Sequence, residues 1–215
     1  AKASELLLNL GVSVKEQLMW KDAYYALNAW RDVLFNHGVL VLQFSIPIRD
    51  ARGFSVINKL AAIGLSNKDV PEARNFSLFH ELCHICLHKP GVSGGDATEQ
   101  QDERKSESIV ERFCDQFAAN FLLPLDDNEV YQALKSLTEK TKLNDFEVRK
   151  VARLFKVSKY TLLRRLFETN FINEHDYWDV FNRWSESAYQ IVPRKISGGP
   201  HWVDRQVGER GKRLV

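Results

Sequence analysis

The segment His80-Glu81-Leu82-Cys83-His84 sets two histidines four residues apart, with a glutamate beside the first, inside the apolar run NFSLFHELCHICLH. Residues at that spacing share one face of a helix, close enough for two ring nitrogens to bind one Zn²⁺. The glutamate then lies beside the water such an ion holds and is placed to take its proton. That is the chemistry of metal-dependent peptide hydrolysis. It needs one more protein ligand, because a catalytic zinc takes three and keeps a fourth position open.

His88 continues the four-residue spacing, but residues 80 and 88 of one continuous helix lie about 12 Å apart along its axis. Ligands near 2 Å from a single ion cannot span that distance, and no glycine bends the chain before Gly91. His88 is therefore read as a helix-end side chain that interacts with terminal carbonyls. A better source is the later segment ERFCDQFAANFLLP, where Glu111 and Asp115 stand four apart among largely apolar neighbours. A carboxylate from a second packed helix completes a His₂Glu site. One turn further on, a carboxylate can accept a hydrogen bond from a ligand histidine and set its tautomer. Glu111 is assigned to the metal and Asp115 to the support of a ligand.

The surrounding elements must position these groups. Apolar residues recur at helical intervals from Val14 to Phe35, with Ser13 as a cap, and Asn36-His37-Gly38 ends that helix. Val39 to Phe44 is β-branched and apolar and reads as a buried strand. Arg52-Gly53 reads as a turn into a strand from Phe54 to Ile57, and Ala61 to Leu65 is a third candidate. A small antiparallel sheet of about three strands is the economical arrangement. The motif helix is expected from Ala73 to His88, stopped by Pro90-Gly91. Residues 91 to 106 lack apolar periodicity and read as a surface loop, followed by a helix from Glu107 to Leu122 that Pro124 ends.

Beyond Asn128 the pattern is helical, with breaks near Asn144, Lys156 to Ser158 and Asn170. Residues 145 to 168 have helix-turn-helix character, with Ser158 as the natural cap of the second helix. Lys156, Lys159, Arg164 and Arg165 put positive charge where a nucleic-acid-reading helix needs it. The plainer reading, favoured here, is that these helices pack against the motif-bearing half and the cations are solvated. The expected organisation is residues 1–127, a helical region over 128–190, and a basic tail over 191–215.

Composition bounds the rest. The chain has 215 residues, 44% hydrophobic and 27% charged, as expected of a globular protein with a real core. A net charge of +2 gives no global field for nucleic acid. No run of about 18 apolar residues is present, so no membrane span is expected, and no signal-peptide pattern is visible. The three cysteines, Cys83, Cys86 and Cys114, fit reduced thiols in a cytoplasmic protein better than a disulfide framework. The CxxC spacing of Cys83 and Cys86 falls inside the motif helix, where small apolar side chains are wanted.

NFSLFHELCHICLH followed by ERFCDQFAANFLLP resembles the ImmA/IrrE family of metallopeptidases, as does the upstream segment HGVLVLQFSIPIRDARGFSV, over roughly residues 25 to 185. Family members pair an HExxH helix with a later glutamate-bearing helix. The resemblance implies an α+β, zincin-like fold: a small antiparallel sheet packed on a helical core with the HExxH helix, then the helix-turn-helix-like region. It implies Zn²⁺ on His80, His84 and Glu111, with Glu81 as general base. Two departures are Cys83, where the family usually has a glycine or other small residue, and Asp115 in place of the commoner asparagine. The implied activity is cytoplasmic cleavage of a protein substrate, an XRE-type helix-turn-helix repressor, in a stress or mobile-element response. A different class of reading is a DNA- or partner-binding regulator whose metal is structural, and a non-peptide metallohydrolase is a third.

Overall fold

A computed structural model describes residues 9–88, 92–93, 101–139 and 143–189, with side chains from 109 onward in the third span and to 185 in the last. The basic tail over 191–215 lies outside the described residues, as do 91 and 94–100 of the loop expected over 91–106; of the rest of that loop, Val92–Ser93 is a strand and 101–106 are helical. Helices α1 (Val14–Met19) and α2 (Ala23–Asn36) come before the sheet. They are two helices where a single one was expected, because Asp22 starts a new cap by accepting from the Tyr25 amide at 2.8 Å. Trp20 ends α1 in an extended conformation. Ser13 caps α1 as expected, its Oγ accepting from the Glu16 amide at 3.1 Å.

Strands β1 (Val39–Phe44), β2 (Gly53–Ile57), β3 (Ala61–Ser66) and β4 (Val92–Ser93) form one sheet in the order β1-β3-β2-β4. The sheet is small, as expected, but it is not wholly antiparallel: β1 runs parallel to β3, while β2 is antiparallel to β3 and β4. Burial explains the order. β1 alternates between buried and less buried positions, which suits an edge with one covered face. β3 is buried at four consecutive positions, Ile63 to Ser66, and takes the centre. Its Gly64 makes room for Phe54 across the pair, since a Cβ there would come within 2.3 Å of the ring.

The motif helix α3 (Pro71–Cys86) has Pro71 in its first turn, where the missing amide hydrogen costs nothing. Helix α4 (Gln101–Leu122) begins six residues before the expected Glu107. Apolar periodicity starts only at Ile109, so the polar first turns of α4 carried no pattern to read. Helices α2, α3 and the sheet pack together, and α4 lies along α3. An aromatic cluster fixes these contacts. Trp30 of α2 meets Trp20 and Phe79 edge-on, each at 4.9 Å, and Phe79 stacks on Phe121 of α4 at 4.1 Å. Phe79 precedes His80, so the packing that fills the core also turns the histidine face of α3 toward α4.

Helices α5 (Asn128–Thr138), α6 (Asp145–Leu154), α7 (Lys159–Glu168) and α8 (Glu174–Tyr189) follow. Asn144 and Ser158 cap α6 and α7 through their side chains. The turn between α6 and α7 has no glycine. Lys156 itself takes the left-handed conformation, with φ of 58°. Its Nζ donates to the carbonyls of Leu18 and Leu154 at 2.8 and 2.7 Å, tying the turn to α1. Asn75 of α3 donates to the Lys156 carbonyl at 3.0 Å, and Gln17 of α1 to the Phe155 carbonyl at 2.9 Å. A single buried cluster runs from Val12 to Trp184, across the expected division at residue 127.

Candidate metal centre

Helix α3 supplies His80 and His84, both buried, and α4 supplies Glu111, half-exposed at the edge of the seam between them. His80 Nε2 and His84 Nε2 lie 3.2 Å apart. Glu111 Oε2 is 3.1 Å from His80 Nε2, and its Oε1 is 3.1 Å from His84 Nε2. Three ligands held about 2.0–2.1 Å from one tetrahedral zinc stand about 3.3 Å from one another. The observed triangle matches that spacing. Two imidazole nitrogens and a carboxylate oxygen are the donor set a divalent zinc takes. These are the residues brought together from the two segments, and among the described residues they form the metal-competent group.

Asp115 stands one turn beyond Glu111, and its Oδ1 accepts from His80 Nδ1 at 2.9 Å. That bond leaves the lone pair of Nε2 facing His84 and Glu111. Asp115 Oδ2 in turn accepts from Arg164 Nη1 at 2.8 Å. Glu81 is fully buried on α3, against the start of β2. A Cβ on Gly53 would lie 3.1 Å from Glu81 Cγ and 3.2 Å from Oε1. Gly53 is thus the first residue of β2 rather than part of a turn, and it shapes the space around Glu81. Nothing in the Arg52-Gly53 dipeptide pointed there, because the contact joins residues far apart in sequence.

The charges respond to this packing. Burial pushes His80 toward the neutral form, but hydrogen bonds to Asp115 and Glu111 outweigh it and raise the ring to about 10 in the metal-free protein. His84 is raised to about 10 by Cys114 and Glu111 against burial. Glu111 is pushed up by burial, yet the two histidines hold it down to about 2. A divalent cation takes the place of the protons these rings bind.

The cysteines have structural places. Cys83, unassigned from sequence, is buried, as is Cys114 on the facing helix, and their interaction lowers the Cys83 thiol and raises that of Cys114. Two small soft side chains let the ligand-bearing helices approach. Cys86 is exposed, and all three thiols are free. His88 ends α3 outside the triangle, with φ of 53° and its Nδ1 3.1 Å from the Ile85 carbonyl, the helix-end role expected of it.

The four cations weighed for nucleic acid are engaged inside the protein. Lys156 is spent on α1 and α6 carbonyls. Lys159 lies over the Trp184 ring at 4.4 Å. Arg164 pairs with Asp115 and Glu168, and Arg165 donates to the Leu123 carbonyl at 2.9 Å. Their placement does not support a phosphate-binding face, since each of these groups already has a partner within its own chain. The helices pack against the motif-bearing half, as the plainer reading has it, while Lys156 and Arg165 are buried and not solvated.

A small mixed sheet packed on an HExxH helix, with a second helix closing the metal triangle, is a zincin-like fold. Residues 36–167 match the IrrE N-terminal-like domain family, Peptidase_M78, and the chain belongs to that family. Among curated proteins none matches the sequence. A solved structure of a Mycobacterium tuberculosis transcriptional regulator is similar at 18% identity with a TM-score of 0.49, covering 76% of this chain and 44% of that one. The chain thus spans less than half the length of that regulator. No helix among the described residues is long and apolar enough to cross a membrane.

Proposed function

We propose that the protein is a zinc-dependent endopeptidase that cuts an XRE-type helix-turn-helix repressor in the cytoplasm, as part of a stress or mobile-element response. The observation that carries the reading is the convergence of His80, His84 and Glu111 at 3.1–3.2 Å, with a fully buried Glu81 next to His80 on the same helix. Three protein ligands are the number a catalytic zinc takes, whereas structural sites are closed by four. Bound zinc supplies a water acidic enough to ionise near neutral pH and a Lewis acid for the scissile carbonyl.

The chain's own groups do the remaining work. Glu81 takes the proton of the attacking water and returns it to the leaving amine, so that no free amide anion forms. Burial and the backbone at Gly53 limit where its carboxylate can go. Asp115 keeps His80 in the tautomer that presents Nε2. An extended substrate can add main-chain hydrogen bonds along an edge of the sheet.

The inward-turned cations weigh against the alternative of a DNA-binding regulator with a structural metal. The test is to incubate the zinc-loaded protein with the helix-turn-helix repressor encoded beside its gene and to follow the repressor by mass spectrometry. A defined cut, absent with Glu81→Gln although that variant keeps its zinc, is expected. An equal cut by Glu81→Gln refutes the assignment of the base, and an intact repressor refutes this substrate.

A further inference from the structure

We propose that Arg164, on the second helix of the helix-turn-helix-like pair, is a positioning residue of the metal centre, acting through Asp115 on His80. The inference rests on the reading of His80, His84 and Glu111 as a metal site. It gives α7 a role in that site which its sequence pattern did not indicate.

The three groups form a continuous chain of charge-assisted hydrogen bonds. Arg164 Nη1 donates to Asp115 Oδ2 at 2.8 Å, and Asp115 Oδ1 accepts from His80 Nδ1 at 2.9 Å. Each oxygen of one carboxylate is therefore committed to a different partner. Arg164 is itself held, because its Nε donates to Glu168 Oε1 at 2.8 Å one turn along α7. The rigid guanidinium fork serves both carboxylates at once, a geometry that a single ammonium cannot copy. With 28% of its side chain exposed, Asp115 has room to turn toward solvent. The arginine removes that freedom and keeps Oδ1 aimed at the imidazole.

The direction of the effect follows. A ligand histidine whose ring is fixed before the metal arrives loses less conformational freedom on binding, and its outer partner raises its basicity. Helix α7 also packs against α4, so the placement of the arginine is secured by the fold and not by surface contact. The helical half is then part of the metal centre, and Arg164 falls within the family-matched residues 36–167.

The experiment uses the full chain and measures zinc affinity by competition with a chromogenic chelator in wild type, Arg164→Gln, Asp115→Asn and the double variant. Visible spectra of the cobalt-loaded proteins report ligand geometry, and circular dichroism checks the fold. Arg164→Gln is expected to weaken zinc binding about 10-fold, and Asp115→Asn by about 10- to 100-fold. The double variant should bind as Asp115→Asn does, because an arginine that works through Asp115 has nothing further to lose. Losses that multiply in the double variant, or wild-type affinity in Arg164→Gln, overturn the proposal.

Should Arg164→Gln fail to fold, Arg164→Lys carries the test. Its charge is kept while the fork is lost, so a smaller loss of affinity and a shifted cobalt spectrum are expected. Wild-type affinity with an unchanged spectrum in that variant overturns the proposal. Peptide cleavage enters none of these readouts. A wild-type chain that binds zinc and cuts nothing refutes the peptidase reading alone, whereas one that binds no zinc removes both.

Discussion

Gly53→Ala tests the arrangement around the general base without touching a metal ligand. The new Cβ would stand 3.1 Å from Glu81 Cγ, 3.2 Å from its Oε1 and 3.3 Å from the Gly64 carbonyl oxygen. Carbon atoms in contact settle about 3.5–4.0 Å apart, so Glu81 or β2 must give by roughly half an ångström. Glu81 is fully buried and cannot swing out into water. Forcing it off its rotamer costs about 0.5–1.5 kcal/mol. Alanine gains about 0.5–1 kcal/mol over glycine inside a strand, which offsets most of that cost. Stability should therefore change by about 1 kcal/mol at most.

Catalysis is less forgiving. A 1 Å misplacement costs on the order of 10²-fold, so half that shift is worth roughly 10-fold in kcat, or about 1.4 kcal/mol in the barrier. Zinc affinity should stay at the wild-type value, because the new methyl group meets Glu81 and not His80, His84 or Glu111. The assay is the cleavage rate of zinc-loaded protein at saturating substrate, with zinc content measured in the same samples. Full activity in Gly53→Ala beside an inactive Glu81→Gln would refute the placement of the base against β2. A large loss of zinc would refute the separation of base from ligands.

Other expectations concern stability and binding. His80 titrates near 6.5 when unfolded and is raised to about 10 in the metal-free fold, so its pairing stabilises fully below pH 6.5 and is lost as pH rises toward 10. Glu111, lowered to about 2 from 4.5, contributes above pH 4.5 and loses its share as pH falls toward 2. The melting temperature of the metal-free protein should thus decline between pH 7 and 10, and a flat profile there would count against the pairing. Zinc affinity should rise over the same interval, since the ion displaces protons from the rings; chelator competition at three pH values shows the slope. Phe79→Ala, which empties the stack between α2, α3 and α4, should cost about 3–5 kcal/mol in urea unfolding, and a loss under 1 kcal/mol would mean the aromatic cluster does not hold the motif helix. Duplex DNA should bind no tighter than the nonspecific range of about 10⁻⁴–10⁻⁶ M at physiological salt, and site-selective binding in a mobility-shift assay would reopen the role of Lys156, Lys159, Arg164 and Arg165.

Local pattern made much of this legible. HExxH and the ERFCDQFAANF helix carry their chemistry in residue type and helical spacing, so His80, His84, Glu111 and Asp115 were readable without coordinates. Strands β1 to β3 were readable for the same reason, as was the Ser158 cap, whereas β4 falls in the segment read as a loop. What could not be read depends on contacts between distant residues. The pairing of β1 with β3, and not with the next strand β2, joins segments apart in sequence, and Gly53 matters only because β2 passes beside Glu81. Arg164 reads from sequence as a solvated cation or, less favoured, a charge for nucleic acid, and its tie to Asp115 depends on α7 packing against α4. The split between α1 and α2 had a local signal in Asp22, but the apolar periodicity ran across it.

The claim on which the rest depends is that two helices build one three-ligand zinc site. Zinc bound per chain, measured by elemental analysis after dialysis against nanomolar free zinc, tests it most directly in wild type and Glu111→Ala. About one ion per wild-type chain is predicted, as one four-coordinate site requires, with most of it lost in Glu111→Ala. A zinc-free wild-type chain, or full occupancy in Glu111→Ala, would contradict the account.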